Sequence, residues 1–373
     1  MSSQKIKVCH LTSVHPRNDV RIFHKQCKGL SKHYEISLIV ADNLGDNKED
    51  DIKIKDVGKP SNRFLRIFIY TWKVFYRGLK TKSQIYHFHD PELFFAGFIL
   101  KLFGKKVIFD VHENITAQIK DKLWLPVFFR FILIQFFKII NFFSIRLFSI
   151  IIAEKSYSDI YKKSSSNNKI VTVLNYPFID SLKQFRNVNR SGNEFFYIGG
   201  VSNHRGLDII IEAAKILHKQ NIDFKIHLIG NVSDEYNIDD CPNLKNKIIF
   251  YGRRDFYNGY IISKKCIAGL AVLKPIDNYI NSQPTKIFEY MSIGLPIITS
   301  KFKLYEEIVE KNKIGLCINP LSAIELAATL NGFIKLEYDV NSMSELGVKL
   351  VEEKYSWEKE LKKLLELYKF LEN

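Results

Sequence analysis

A chain of 373 residues with 46% hydrophobic residues exceeds one compact core and supplies enough apolar side chains for two, which excludes a disordered protein and a single small domain. Cys9, Cys27, Cys241, Cys266 and Cys317 stand far apart, so neither a zinc site nor a disulfide framework is indicated and a reducing, cytoplasmic setting is expected. The formal charge is +15, but residues 1–180 hold 29 Lys+Arg against 16 Asp+Glu, whereas residues 181–373 hold 26 against 24. The first half therefore owns the basicity. No nucleic-acid recognition module accompanies it, which leaves an anionic membrane surface as the expected partner and no nucleic acid.

In chain order, short apolar runs alternate with amphipathic ones, the pattern of a parallel sheet wound with helices. Residues 5–14, 34–41, 85–89, 106–111, 149–153 and 170–174 read as strands of a first domain, residues 1–178. Its start runs straight into a strand-like segment without an apolar core of signal-peptide length, so export is not expected. His15-Pro-Arg-Asn-Asp-Val-Arg21 follows the first strand, where Arg17 and Arg21 could meet phosphate and His15 a sugar.

No acidic residue lies between Asp56 and Asp90, and Arg66, Lys73, Arg77 and Lys80 recur there along one helical stripe, with Phe68, Trp72 and Tyr76 on the other side. Such a helix suits a bilayer interface, and four cations at about 1 kcal/mol each would give roughly a thousandfold enrichment at anionic lipid. A second segment, residues 123–152, is apolar and aromatic but interrupted by Arg130, Lys138 and Arg146, and no uncharged run in it approaches the roughly 18 residues of a membrane-spanning helix. Both segments also read as ordinary domain helices with solvated basic faces. His87-Phe-His-Asp-Pro-Glu92 and Phe109-Asp-Val-His-Glu-Asn114 end two strands, placing His89, Asp90, His112 and Glu113 where imidazole and carboxylate could hold sugar hydroxyls.

After Pro177 the alternation restarts in a second domain, residues 179–354, with strands at 195–198, 225–229, 248–251, 267–273, 296–299 and 314–318; residues 355–373 form a last helix expected to pack across both domains. Phe195-Phe-Tyr-Ile-Gly-Gly200 ends a strand in two glycines, and Arg205 precedes the next helix. Gly199 and Gly200 allow a ligand to approach the backbone, although a tight turn explains them equally well, and Arg205 could hold phosphate or simply stand at the surface. The sharpest signal is Asn281-Ser-Gln-Pro-Thr-Lys-Ile-Phe-Glu-Tyr-Met-Ser-Ile-Gly294. Pro284 suits a helix start, so Ser282 and Thr285 would offer backbone amides to an anion and Lys286 a cation, while Glu289, about one turn on, could accept two hydrogen bonds from a ribose diol.

These segments, with His10-Leu-Thr-Ser-Val-His-Pro-Arg-Asn-Asp-Val-Arg-Ile-Phe-His24, resemble family 4 of the retaining glycosyltransferases, particularly members that build bacterial surface polysaccharides such as O-antigen. The resemblance covers nearly the whole chain and implies the GT-B fold: α/β, two Rossmann-like doubly wound domains facing a central cleft. By that resemblance Glu289 holds the nucleotide ribose, Arg205 and Lys286 hold the diphosphate, and His112 faces the transferred sugar. Two positions depart from the family pattern: Gly200 stands where many members have an arginine, and Asn281 where the first of two paired glutamates would lie.

The expected reaction is transfer, with retention, from a nucleotide sugar (UDP favoured, GDP possible) to a polyprenyl-diphosphate-linked saccharide, by a protein peripheral on the inner face of the cell membrane. No cofactor and no metal are expected, as there is no Asp-x-Asp pair for Mg²⁺. A nucleotide-sugar epimerase of the same fold and a non-catalytic partner in a polysaccharide assembly complex are the competing readings.

Overall fold

The computed structural model describes residues 5–112, 114–122, 124–161, 169–233 and 242–372. The chain divides into two compact units: residues 1–175 with 357–373, and residues 176–356. The last helix, Trp357–Glu372, belongs to unit 1. Its buried side is Trp357, Glu360, Leu364, Leu367, Tyr368 and Leu371, and the carboxylate of Glu360 accepts from the Leu174 amide at 2.8 Å.

Unit 1 is built on eight strands: β1 (Lys7–Leu11), β2 (Glu35–Val40), β3 (Asn47–Glu49), β4 (Ile52–Asp56), β5 (Ile85–Phe88), β6 (Lys106–Val111), β7 (Ser149–Ile152) and β8 (Ile170–Thr172). Their order is β3-β4-β2-β1-β5-β6-β7-β8, parallel throughout except for the β3/β4 pair. β2, β5 and β7 are buried almost end to end, as expected for strands covered by helices on both faces. The β3–β4 hairpin is absent from the sequence expectation. Its Asn-Lys-Glu strand is fully exposed at the sheet edge and carries no apolar run to betray it.

Unit 2 has six parallel strands: β9 (Glu194–Ile198), β10 (Lys225–Ile229), β11 (Ile248–Phe250), β12 (Ala268–Ala271), β13 (Ile297–Ser300) and β14 (Gly315–Ile318), in the order β11-β10-β9-β12-β13-β14. Its core gathers Phe195, Tyr197, Leu207, Ile210, Ile226 and Leu270. In both sheets the order reverses once, between β1 and β5 in unit 1 and between β9 and β12 in unit 2. Open parallel sheets bind ligands beyond the strand C-termini at such a reversal.

Candidate functional site

In unit 1 the reversal gathers the ends of β1, β5 and β6, and with them an unusual set of imidazoles. Asp110, near the end of β6, is fully buried and accepts both prongs of Arg21, at 2.8 and 3.0 Å, together with the Gln26 amide at 2.6 Å. Arg21 and Gln26 arrive on a π-helical stretch, Val20–Cys27, started by Asp19, whose carboxylate accepts from the Arg21 and Ile22 amides. The wider winding is a common device for presenting side chains at functional sites. His112 Nε2 lies 3.1 Å from Asp110 Oδ2 and 3.2 Å from His89 Nδ1. His89 Nε2 meets His10 Nδ1 at 3.0 Å, and Tyr368 of the last helix closes the cluster, 2.8 Å from His87 Nδ1 and 3.3 Å from His10 Nε2.

Burial penalises charge here, but unequally. Desolvation acts against the Asp110 carboxylate, yet the Arg21 guanidinium and the surrounding imidazoles overcome it and hold the group ionised, well below the usual carboxylate range. His10 and His87 are held neutral by burial and by their neighbouring imidazoles, and burial depresses His89 to about 3. Asp110 orients the His112 ring through Nε2, so the opposite nitrogen is not taken up by the carboxylate, and His112 retains 14% of its side-chain exposure. His10, His87 and His89, and likewise His89, Asp110 and His112, are close enough to share a metal ion. In the second group Asp110 is already committed to a guanidinium, so a cation there would have to displace Arg21; in the first, His87 Nε2 has no hydrogen-bond partner, while the ring nitrogens of His10 are taken by His89 and Tyr368.

Two arginines in this unit do other work than the phosphate contact expected of them. Arg17 is held by both oxygens of Asp42 at 2.7 Å and by the Gly45 carbonyl, and Arg21 is sealed beneath the cluster, also donating to the Val173 carbonyl. Asp90 is mostly committed as well: its Oδ2 accepts from Thr12 Oγ1 and the Ser13 and Val14 amides, fixing the turn after β1. His15 remains near its second oxygen, at 3.5 Å, with its ring 5.0 Å from that of His112. Glu113 lies outside the described residues.

In unit 2 the reversal brings Gly199 against the helix Thr285–Ser292. Gly199 has φ +130°, and a Cβ there would stand 3.5 Å from both Lys286 Nζ and an Arg205 nitrogen; one on Gly200 would meet the same guanidinium at 3.7 Å. The glycines leave room for these two cations. Lys286 is 6% exposed, its Nζ has no hydrogen-bond partner, and it lies 3.7 Å from the centre of the Tyr197 ring. Burial first, and Arg205 second, bring its pKa down to about 7. Glu289 accepts from the Tyr260 hydroxyl at 2.8 Å, and Tyr290 spans from the Leu270 carbonyl to the Ile198 amide, tying this helix to β12 and β9. Ser282 and Thr285 are half-buried at the helix start, whereas Asn281 is exposed at the end of the preceding helix, Asp277–Ile280.

One residue of this site was invisible in the sequence. Arg190, 4% exposed in a stretch that reads as a polar linker, donates to the carbonyls of Asn187, Ser263, Cys266, Ile293 and Gly294. It thereby clamps the turn that ends the Lys286 helix, and burial lowers its pKa to about 10. A lone arginine between Asn189 and Ser191 carries no sequence signal for that work.

The four stripe cations expected to face a membrane are not equivalent. Arg66 is paired twice with Glu92, at 2.9 and 3.1 Å, and Arg77 with Asp46, both partners distant in sequence and so hidden from a helical projection; Lys73 lies over the Tyr70 ring. Nor is the aromatic side turned inward. Thr71, Val74, Phe75 and Gly78 are buried, while Phe64, Phe68, Ile69, Trp72 and Tyr76 are exposed. Helix Val127–Leu147 is similar: Phe128, Phe131, Phe136, Ile139 and Phe142 are exposed, only 17% of its most apolar 18-residue window is buried, and it is long and apolar enough to cross a membrane by length and composition. Arg130 donates to the Lys120 carbonyl at 3.1 Å, and Lys138 lies on the same helix.

Residues 178–370 match the family model described as glycosyl transferases group 1. An uncharacterized glycosyltransferase of Methanocaldococcus jannaschii is 27% identical over 180 residues, 46% of this chain and 44% of that protein. A putative colanic acid biosynthesis glycosyltransferase, WcaL, of Salmonella typhimurium is 22% identical over 158 residues, 39% of this chain and 37% of that protein. The chain thus spans less than half the length of these curated relatives. Among solved structures, Anabaena HepE in complex with UDP-glucose superimposes with a TM-score of 0.70 at 13% identity, covering 98% of this chain and 99% of that one.

Proposed function

Because the chain belongs to the glycosyl transferases group 1 family, a family of glycosyltransferases, and has its two-domain GT-B fold, we propose that it transfers a sugar from a nucleotide sugar to a lipid-linked saccharide during assembly of a surface polysaccharide. The observation that carries this reading is Lys286: a buried ammonium without a hydrogen-bond partner, beside Arg205, at a helix start and against the glycine backbone of Gly199. A buried cation so arranged calls for an anion. A diphosphate fits, with Thr285 and Ser282 at the dipole's positive end and Glu289 a turn further on for a ribose. UDP is the favoured nucleotide, in keeping with the UDP-glucose bound by HepE.

In the reaction, the bond from the anomeric carbon to the leaving phosphate breaks while the acceptor oxygen bonds to that carbon on the same face. The acceptor's proton passes to the departing phosphate oxygen. The charge that develops there is met by Lys286 and Arg205, so no metal ion is required. His112, its Nε2 held by Asp110, offers its other nitrogen to a sugar hydroxyl. A thermal-shift screen against UDP-, GDP- and dTDP-sugars tests the donor: the correct one at 100 times its dissociation constant adds about 2.7 kcal/mol. No shift with any of the three would remove the nucleotide-sugar reading.

The same proposal places the protein at the inner face of the cell membrane, docked through unit 1. With Arg66 and Arg77 already paired, Lys73 and Lys80 carry the stripe's attraction, roughly 2 kcal/mol or thirtyfold, and the exposed aromatic side chains add to it. Replacing those two lysines by Gln should weaken binding to anionic vesicles far more than replacing the two arginines; equal losses would sink the assignment.

A further inference from the structure

Unit 1 contains a cavity of about 900 Å³, near the upper end for small-molecule sites. Its polar lining is His15, His89, Asp90 and His112 at the strand ends; its walls are apolar and come from helices, among them Ile67, Trp72, Ala96, Ile119, Phe136 and Ile140. Thr71, Glu92 and Gln118 also line it; Asp90 is engaged by backbone amides and Glu92 by Arg66, which leaves Arg63 and Lys122 as the charges that can act on a guest.

The decisive feature is continuity. Phe68, Trp72, Trp124 and Phe136 line the cavity and are at the same time 38–75% exposed, so its apolar wall runs unbroken onto the aromatic outer face of the helices. Water gains little in a space of this size whose walls offer few hydrogen bonds, and apolar cavities take apolar guests. A sugar or nucleotide alone would leave the helical walls uncovered. A chain that is hydrocarbon along its length and anionic at one end matches the apolar walls, the two cations and the imidazole end together.

We infer that this cavity seats the isoprenoid chain next to the phosphate of the lipid carrier, with Arg63 and Lys122 on the phosphate and the attached saccharide directed to His15 and His112. The inference rests on the reading that the acceptor is lipid-linked and adds where its lipid goes. The acceptor is then selected by its hydrocarbon as well as by its sugar.

The test uses the full chain and farnesyl phosphate as probe. Trp72 and Trp124 line the cavity, so their emission should change saturably on titration, with farnesyl phosphate binding at least tenfold more tightly than dimethylallyl phosphate. Ala96→Phe, which fills the cavity from the helix Phe94–Leu102, should weaken farnesyl phosphate at least tenfold while leaving UDP binding in unit 2 unchanged. Lys122→Ala, at a half-buried position on the cavity lining, should weaken farnesyl phosphate but not farnesol. Equal affinity for the two phosphates, or wild-type affinity in an Ala96→Phe protein that still binds UDP, would overturn the assignment. Chain-length-dependent binding with no transfer to any lipid-linked saccharide would instead overturn the reading of the acceptor and leave the cavity's guest standing.

Discussion

The two units bury charge in opposite ways. In unit 1, Asp110 is enclosed together with its counterion, and Arg21, Gln26 and the imidazoles of His89 and His112 satisfy it before any ligand arrives. In unit 2, Lys286 is nearly as buried, yet the Arg205 cation acts on it more strongly than the Glu289 carboxylate does and its Nζ has no hydrogen-bond partner. The first arrangement is a finished support that fixes the orientation of His112. The second is an unfinished one, destabilising until an anion completes it. A buried ion pair and a lone buried cation are thus different statements: one concerns architecture, the other what must come and go.

The comparison breaks most visibly at Arg21. Arg21→Ala would leave the Asp110 carboxylate buried and unpaired, which costs about 3–5 kcal/mol, and urea unfolding should show that loss. A variant as stable as the wild type would mean that the support is not ionic. Next in size is Lys286→Met, which should lower kcat by about 10²–10³ through loss of a donor to the leaving group, yet leave the urea midpoint unchanged or raised, because a strained charge has been removed. A fall in both would make Lys286 a structural residue like Arg21. The smallest effect is the most specific. With a pKa of about 7 in the free protein, Lys286 is mostly neutral at pH 8, and a bound diphosphate must raise that value. UDP-glucose, whose diphosphate does not titrate in this range, should therefore bind with uptake of close to one proton at pH 8 and almost none at pH 6, with affinity falling up to about tenfold per pH unit above 7. Calorimetry in buffers of different ionisation enthalpy reads this directly, and Lys286→Met should abolish the uptake.

Much of this is legible in the sequence, for identifiable reasons. Buried parallel strands announce themselves as apolar runs, and the helix start at Pro284 sets Lys286 and Glu289 in register because their three-residue spacing is local. What escapes is non-local. Glu92 and Asp46 neutralise Arg66 and Arg77 from other elements, and helical projection, which sees only one element, reads the stripe as uniformly available. Arg190 gains its meaning from five carbonyls contributed by three separate segments, and Tyr368 from histidines some 280 and 360 positions away. The period of residues 63–79 is likewise local, whereas the partner that fits Val74 and Gly78, here β1, decides which side goes in and leaves Phe68, Trp72 and Tyr76 exposed.

Tyr368 and Glu360 come from a helix separated from the rest of unit 1 by all of unit 2. Seen in the order of synthesis, the ribosome makes His10, His87 and His89 early and must then complete some 280 further residues, unit 2 among them, before the tyrosine that joins two of them emerges. Unit 2 has every strand of its own sheet in one continuous stretch and can close during that wait. The unit encoded first is therefore the one finished last.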